Sequence, residues 1–163
     1  MPTNITPCLW FDHQGEEAAK FYTAIFPNSK ITATTHYGEA GKEIHGREPG
    51  SVMVVAFELN GRSFTALNGG PYFKFNEAVS LQIECEDQKE LEYYWEKLNE
   101  GGDPEAQQCG WLKDKYGLSW QVVPKILAQL LQDPDAAKRD RVMAAMLQMK
   151  KIDIAGLQRA AAG

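Results

Sequence analysis

The stretch Cys109-Gly-Trp-Leu-Lys-Asp-Lys-Tyr-Gly-Leu-Ser-Trp-Gln-Val-Val-Pro124 joins two apolar runs through a turn marked by glycine. An earlier stretch, Val54-Val-Ala-Phe-Glu-Leu-Asn-Gly-Arg-Ser-Phe-Thr-Ala-Leu67, has the same plan. Its Asn60-Gly61 pair is the strongest short-range signal for a β-hairpin, because both residues tolerate positive φ. The sequence therefore predicts the same hairpin twice.

The similarity extends upstream of the hairpins. Leu9 corresponds to Leu81 and Phe21 to Tyr93, each pair 72 residues apart, so one offset covers a strand and the helix after it. A fixed period across both elements indicates a duplicated supersecondary unit. Each copy predicts strand, helix, strand and hairpin, with the second copy's middle strand at 105–109. We predict an α+β chain of one structural domain, with tandem βαβββ modules at 1–71 and 72–124 and a helical tail at 125–163.

Composition excludes several classes of protein. The 163 residues are 44% hydrophobic and 24% charged, as in an ordinary globular protein. A net charge of −5 predicts no nucleic-acid partner and no acidic membrane partner. Three scattered cysteines argue against disulfides and zinc and favour a reducing compartment. We find no signal peptide and no apolar run near the ~20 residues of a spanning helix, so we expect a cytoplasmic protein.

Two further features are open to more than one interpretation. The loop 37–50 has four glycines and a proline, so it is a lid, a partner contact or a connection without a role of its own. Strand alternation divides the sheet residues between two faces. The face toward the helices carries Leu9, Phe11, Phe64, Leu81, Ile83, Trp120 and Val122. The other face carries Cys8, Trp10, Ser63, Thr65, Ser80, Gln82, Ser119 and Gln121.

Two tandem βαβββ modules with a Phe-Tyr pair on the first helix resemble the vicinal oxygen chelate superfamily of glyoxalases, extradiol dioxygenases and fosfomycin and bleomycin resistance proteins. Three segments are similar to its PhnB-like branch, often described as 3-demethylubiquinone-9 3-methyltransferases. They are the Glu-Glu-Ala-x-x-Phe-Tyr helix, the Gly110 to Pro124 run and the tail Met149-Lys-Lys-Ile-Asp-Ile-Ala155. The resemblance implies the glyoxalase/bleomycin resistance fold, a cup-shaped mixed sheet in which paired modules or subunits enclose a ligand.

Catalytic members of the superfamily hold a divalent metal on the first strand and the last hairpin strand of each module. The repeat maps these positions to Cys8, Thr65, Ser80 and Gln121. Such metals prefer imidazole and carboxylate ligands. A one-residue shift of the first strand offers only Pro7 or Leu9. We therefore predict no metal and no cofactor, and no catalytic residue is assigned.

The methyltransferase description attached to this branch is not supported by the residues, because such enzymes use S-adenosylmethionine. That cofactor's familiar binding site uses a glycine-rich turn between a strand and a helix, and no such GxGxG motif occurs here.

Two functions remain. The first is metal-free binding of a small, aromatic or quinone-like molecule by the eight residues of the second face, since one large aromatic among small polar groups suits such a ligand. The alternative is an enzyme of the same superfamily acting on an unidentified small molecule. The same eight residues could instead fill a dimer core. We expect a homodimer, because the modules leave strand edges and apolar faces to cover.

Overall fold

The computed structural model describes residues 3–163, so the first two residues of the predicted first module lie outside the description. Backbone contacts divide the chain into two compact units, Met1–Lys74 and Phe75–Gly163. The helical tail lies within the second unit. The predicted division at residues 71 and 124 stays a prediction.

The first unit is a helix packed on a four-stranded mixed sheet. Its elements are β1 (Cys8–Phe11), α1 (Gly15–Ile25), β2 (Lys30–His36), α2 (Lys42–His45), β3 (Val52–Leu59) and β4 (Arg62–Asn68). The strand order is β1-β4-β3-β2. The β1 strand runs parallel to β4, and the other two pairs are antiparallel.

The hairpin between β3 and β4 is confirmed. Asn60 and Gly61 have φ of 47° and 77°, the left-handed conformation that a two-residue turn requires at both positions. Beneath it the core is aromatic, with the ring of Phe57 stacked between Tyr22 of α1 and Phe64 of β4. The fully buried Ala18 and its neighbour Ala19 let α1 approach the sheet closely.

The second unit has a three-stranded mixed sheet followed by helices. Its elements are β5 (Ser80–Cys85), α3 (Gln88–Asn99), a 3-10 turn (Pro104–Ala106), β6 (Trp111–Lys113), β7 (Ser119–Pro124), α4 (Lys125–Leu131), α5 (Ala136–Leu147) and α6 (Ile154–Ala162). The order is β5-β7-β6, with β5 parallel to β7 and β6 antiparallel to it. The α+β class, the two mixed sheets and the helical tail are confirmed.

The strand predicted at 105–109 is wrong. Asp103 accepts a hydrogen bond from the amide of Glu105 (2.9 Å) and opens the 3-10 turn instead. At the other end, Cys109 and Gly110 have φ of 49° and 83°, which is incompatible with an extended strand. A single bridge between Gln108 and Trp111 is the remaining pairing of this segment with β6.

The tail is fastened to α3 and to the turn before β6. The side-chain amide of Gln88 donates to the carbonyl of Ile152 (3.1 Å) and accepts from the amide of Ile154 (2.9 Å). The amides of Cys109 and Gly110 donate to the carbonyls of Met149 and Lys150, both at 2.8 Å. The tail therefore folds as part of the second unit. Across residues 3–163, every helix is too short or too polar to span a membrane.

Candidate functional site

Burial of the strand residues follows the predicted alternation in β4 and is less regular in β7, where Ser119 and Val123 are buried as well. Five of the residues assigned to the face opposite the predicted ligand face are buried: Leu9, Phe11, Phe64, Trp120 and Val122. Leu81 and Ile83 are only half-buried, because β5 lies at the edge of the three-stranded sheet.

In the first unit, Cys8 and Thr65 lie directly opposite each other on the parallel strands β1 and β4. Cys8 and Ser63 are exposed, and Thr65 is half-buried. Trp10, the large aromatic of this face, lies on β1 two residues after Cys8 and directly opposite Leu67 of β4.

The indole of Trp10 is held in place by three groups. Its Nε1 donates to the carbonyl of Gly70 (2.8 Å), and Phe73 meets the ring edge to face with centroids 4.9 Å apart. A β-carbon added to Gly69 would lie 2.2 Å from Cζ2 of Trp10, so the ring lies directly against this glycine. The ring is therefore positioned before any ligand arrives. Because the carbonyl of Gly70 accepts the indole N–H, the one polar group of this ring is already hydrogen-bonded.

In the second unit, Ser80 lies opposite Ser119, and Gln82 lies opposite Gln121. This register is displaced by two residues from that of the first unit, where the repeat equates Cys8 with Ser80 and Thr65 with Gln121. A shift of two keeps every side chain on its predicted face. Gln121 still reaches Ser80, since its Nε2 donates to Ser80 Oγ at 2.9 Å. Gln82 is exposed on the edge strand.

Ser119 is buried, with 1% of its surface exposed. Its Oγ has no hydrogen-bond partner among the described residues of the chain. An unsatisfied buried hydroxyl costs about 1–3 kcal/mol. On its other side, Ser119 lies opposite Lys113 of β6, whose ammonium pairs with Glu77.

The eight predicted ligand-binding residues thus form two sets of four, one in each unit. Cys8, Trp10, Ser63 and Thr65 belong to the first unit, and Ser80, Gln82, Ser119 and Gln121 to the second. That both sets line one cavity stays a prediction.

A buried carboxylate explains the glycine and tryptophan residues of the run from Gly110 to Pro124. Asp114, 3% exposed, accepts from the amides of Tyr116 (2.9 Å) and Leu118 (3.1 Å) through one oxygen. Its other oxygen accepts from the indole Nε1 of Trp120 at 2.8 Å. Gly117, with φ of 85°, closes the turn by donating its amide to the carbonyl of Asp114. These residues hold the second hairpin together and point away from the ligand face.

The loop 37–50 contributes Gly46, Arg47 and Glu48 to the lining of a separate, open cavity of about 420 Å³ at the end of the first sheet. The hydroxyl of Tyr37 donates to the carbonyl of Asn68 (2.7 Å), and Arg47 bonds to the carbonyl and carboxylate of Asp12. None of the eight predicted residues is among those that line it, which are His13, Glu16, Gly46, Arg47, Glu48, Ser51, Val52 and Asn68. In the sequence, the length of the loop 37–50 was the feature that pointed to this cavity.

The donor set at the predicted metal positions does not suit a divalent metal. Cys8 and Thr65 offer one thiol and one hydroxyl, while the side chains of Ser80 and Gln121 are hydrogen-bonded to each other. Within residues 3–163, no group of three or more His, Cys, Asp or Glu side chains is placed to hold a metal ion. We assign no chemistry to a metal.

Comparisons with known proteins agree with this architecture. The chain matches the family described as 3-demethylubiquinone-9 3-methyltransferase over residues 3–123. A Bacillus cereus structure described as a 3-demethylubiquinone-9 3-methyltransferase, PhnB protein, is 34% identical, with a TM-score of 0.62 over 74% of this chain and 99% of that one. Protein PA1353 from Pseudomonas aeruginosa shares the fold at 20% identity, with a TM-score of 0.58 over 76% and 98%. No curated protein matches the chain.

Proposed function

Because the chain belongs to the 3-demethylubiquinone-9 3-methyltransferase family, we propose that it binds a small, neutral, aromatic or quinone-like molecule in a metal-free cup. The predicted resemblance to the PhnB-like branch, with its glyoxalase/bleomycin resistance fold, is confirmed. The observation that carries the proposal is Trp10, an indole fixed in position by Gly69, Gly70 and Phe73.

The geometry around Trp10 supports a planar ligand. A stacking partner gains most when its ring is already immobile, because no rotamer entropy is lost on binding. Gly69, Gly70 and Phe73 immobilise this ring from three sides. Its neighbour across the strands is the half-buried Leu67, which adds an apolar surface beside the ring. An aromatic pair contributes about 0.5–1.5 kcal/mol beyond its buried area.

The polar groups of the second unit support a neutral ligand. Ser80, Ser119 and Gln121 offer hydroxyls and an amide but no net charge. The nearest charge across the sheet, Lys113, is neutralised by Glu77. A charged ligand would have to be desolvated against groups that cannot compensate its charge.

Methyl transfer, named in the family description, has no support from the residues. After β4 the chain runs through Gly69-Gly70-Pro71 into a turn, and the next described helix, α3, begins only at Gln88, beyond β5. No helix N-terminus therefore stands behind the glycines to hold S-adenosylmethionine in the manner of the familiar enzymes. We derive no step through that cofactor.

Titration calorimetry of site variants tests the proposal, with duroquinone as the probe. Trp10→Ala removes the stacking face and Gln121→Ala removes an orienting amide, so each should weaken binding by roughly 1–3 kcal/mol. Trp10→Phe keeps a ring and should retain most of the affinity. Thr34→Ala, on the exposed edge strand, is the control. If both alanine variants melt earlier yet bind with unchanged affinity, the two residues are structural and the proposal fails.

We also propose a homodimer without bound metal. The edge strand β2 is exposed along nearly its whole length and has no charged side chain between Lys30 and His36. Edges of this kind invite pairing with another chain. Light scattering should give twice the 18.2 kDa chain mass. Elemental analysis finding one equivalent of zinc, manganese, nickel or iron per chain would contradict the metal-free site.

A further inference from the structure

Ser119 is the one buried side-chain group in residues 3–163 without a hydrogen-bond partner. Buried polar groups in native proteins are nearly always satisfied, so an exception requires a specific reason. Alanine would fill the same space on β7 without leaving a hydroxyl unpaired. The reason must therefore lie in something the hydroxyl does when the site is occupied.

The neighbours of Ser119 show what it could bind. Ser80 lies directly opposite on β5, and adjacent strands are about 4.8 Å apart, so the two hydroxyls flank a single position. Gln121 donates its amide to Ser80 Oγ at 2.9 Å. A serine oxygen that accepts this bond still has its own proton to donate. The hydrogen bond from Gln121 therefore leaves the hydroxyl proton of Ser80 available for donation, beside the unpaired hydroxyl of Ser119.

We infer that Ser80 and Ser119 form a two-donor subsite for one neutral carbonyl oxygen, that of a quinone or an aromatic ketone. Two converging O–H donors match the two lone pairs of a carbonyl oxygen. A carboxylate fits less well, because the cross-strand neighbour Lys113 is already paired with Glu77. This inference rests on the proposed function and specifies which part of the ligand the second unit recognises.

The subsite predicts two effects of opposite sign for Ser119→Ala. Without ligand, the variant loses only an unsatisfied hydroxyl, so its urea midpoint should rise. With a carbonyl ligand, it loses a donor, so its affinity should fall about tenfold. A residue whose hydroxyl served only the fold would lower the midpoint when truncated. Ser80→Ala should also weaken binding, but without raising the midpoint, because it removes the partner of Gln121.

Duroquinone and durene provide the test, since the two ring compounds carry the same four methyl groups and differ in the two carbonyl oxygens. Wild-type protein should bind duroquinone at least tenfold more tightly than durene, and Ser119→Ala should reduce that preference while leaving durene binding unchanged. Equal binding of both compounds to wild type, or a lowered urea midpoint for Ser119→Ala, overturns the subsite and leaves the aromatic cup standing. Failure of both compounds to bind overturns the proposed function itself, and the subsite with it.

Discussion

Gly69→Ala tests whether the indole of Trp10 is as firmly positioned as its contacts indicate. The added β-carbon would lie 2.2 Å, 2.4 Å and 2.5 Å from three atoms of the Trp10 ring, distances that real β-carbons essentially never show. The backbone at Gly69 is not in the left-handed region, so alanine brings no backbone strain there. The whole effect of the substitution must therefore pass through the ring.

The magnitude follows from what the displaced ring loses. The Nε1 bond to Gly70 contributes about 0.5–1.5 kcal/mol, and the edge-to-face contact with Phe73 contributes a similar amount. Repacking around an extra methyl group adds about 1–3 kcal/mol. Together these terms lead us to expect that Gly69→Ala lowers the free energy of unfolding by about 2–6 kcal/mol, with loss of duroquinone binding in the molecules that remain folded.

A double-mutant cycle in urea separates this mechanism from a general backbone effect. In the Trp10→Ala background, Gly69→Ala has no ring to displace and should cost less than about 1 kcal/mol. Gly38→Ala is the matched control, because its β-carbon would meet nothing closer than 4.0 Å and its φ is not positive. That variant should be neutral or more stable by a few tenths of a kcal/mol. An equal cost of Gly69→Ala in both backgrounds would refute the reasoning.

Three further predictions concern the second unit. Asp114→Asn puts an amide N–H against either the indole of Trp120 or the backbone amides of the turn, so it should cost about 1–3 kcal/mol in urea unfolding; an unchanged midpoint would contradict the buried network. Gln88→Ala removes the two hydrogen bonds that hold the tail at Ile152 and Ile154, and hydrogen exchange in the tail should accelerate while that of the first unit stays the same. Burial raises the pKa of Cys85 to about 12, so this thiol stays protonated and inert at pH 8. Peptide mapping after iodoacetamide treatment should find Cys85 unlabelled in the native protein. Labelling of Cys85 faster than the protein unfolds would contradict this prediction.

The elements with local signals could be predicted from the sequence. The Asn60-Gly61 turn needs only its own two residues, so the sequence predicts it at its true position. The strand predicted at 105–109 is absent because Asp103 caps a 3-10 turn there. The apparent repeat predicted a strand at the same place. The shift of two residues between the registers, like the unpaired state of Ser119, arises from pairing between distant strands. No local pattern records such pairing.

The run from Gly110 to Pro124 carries much of the likeness to the family, and its geometry shows why such a likeness does not specify a ligand. The polar groups of this run form hydrogen bonds with one another. The carboxylate of Asp114 accepts a hydrogen bond from the indole of Trp120 and relies on the turn that Gly117 permits. Ser119 and Gln121 alternate with these residues along β7 and face the opposite way. Substitutions at those two positions leave the carboxylate network intact, since neither side chain takes part in it. The hairpin can therefore be retained while the ligand changes, which is why the proposed polar contacts of the ligand rest on Ser119 and Gln121 rather than on the motif that surrounds them.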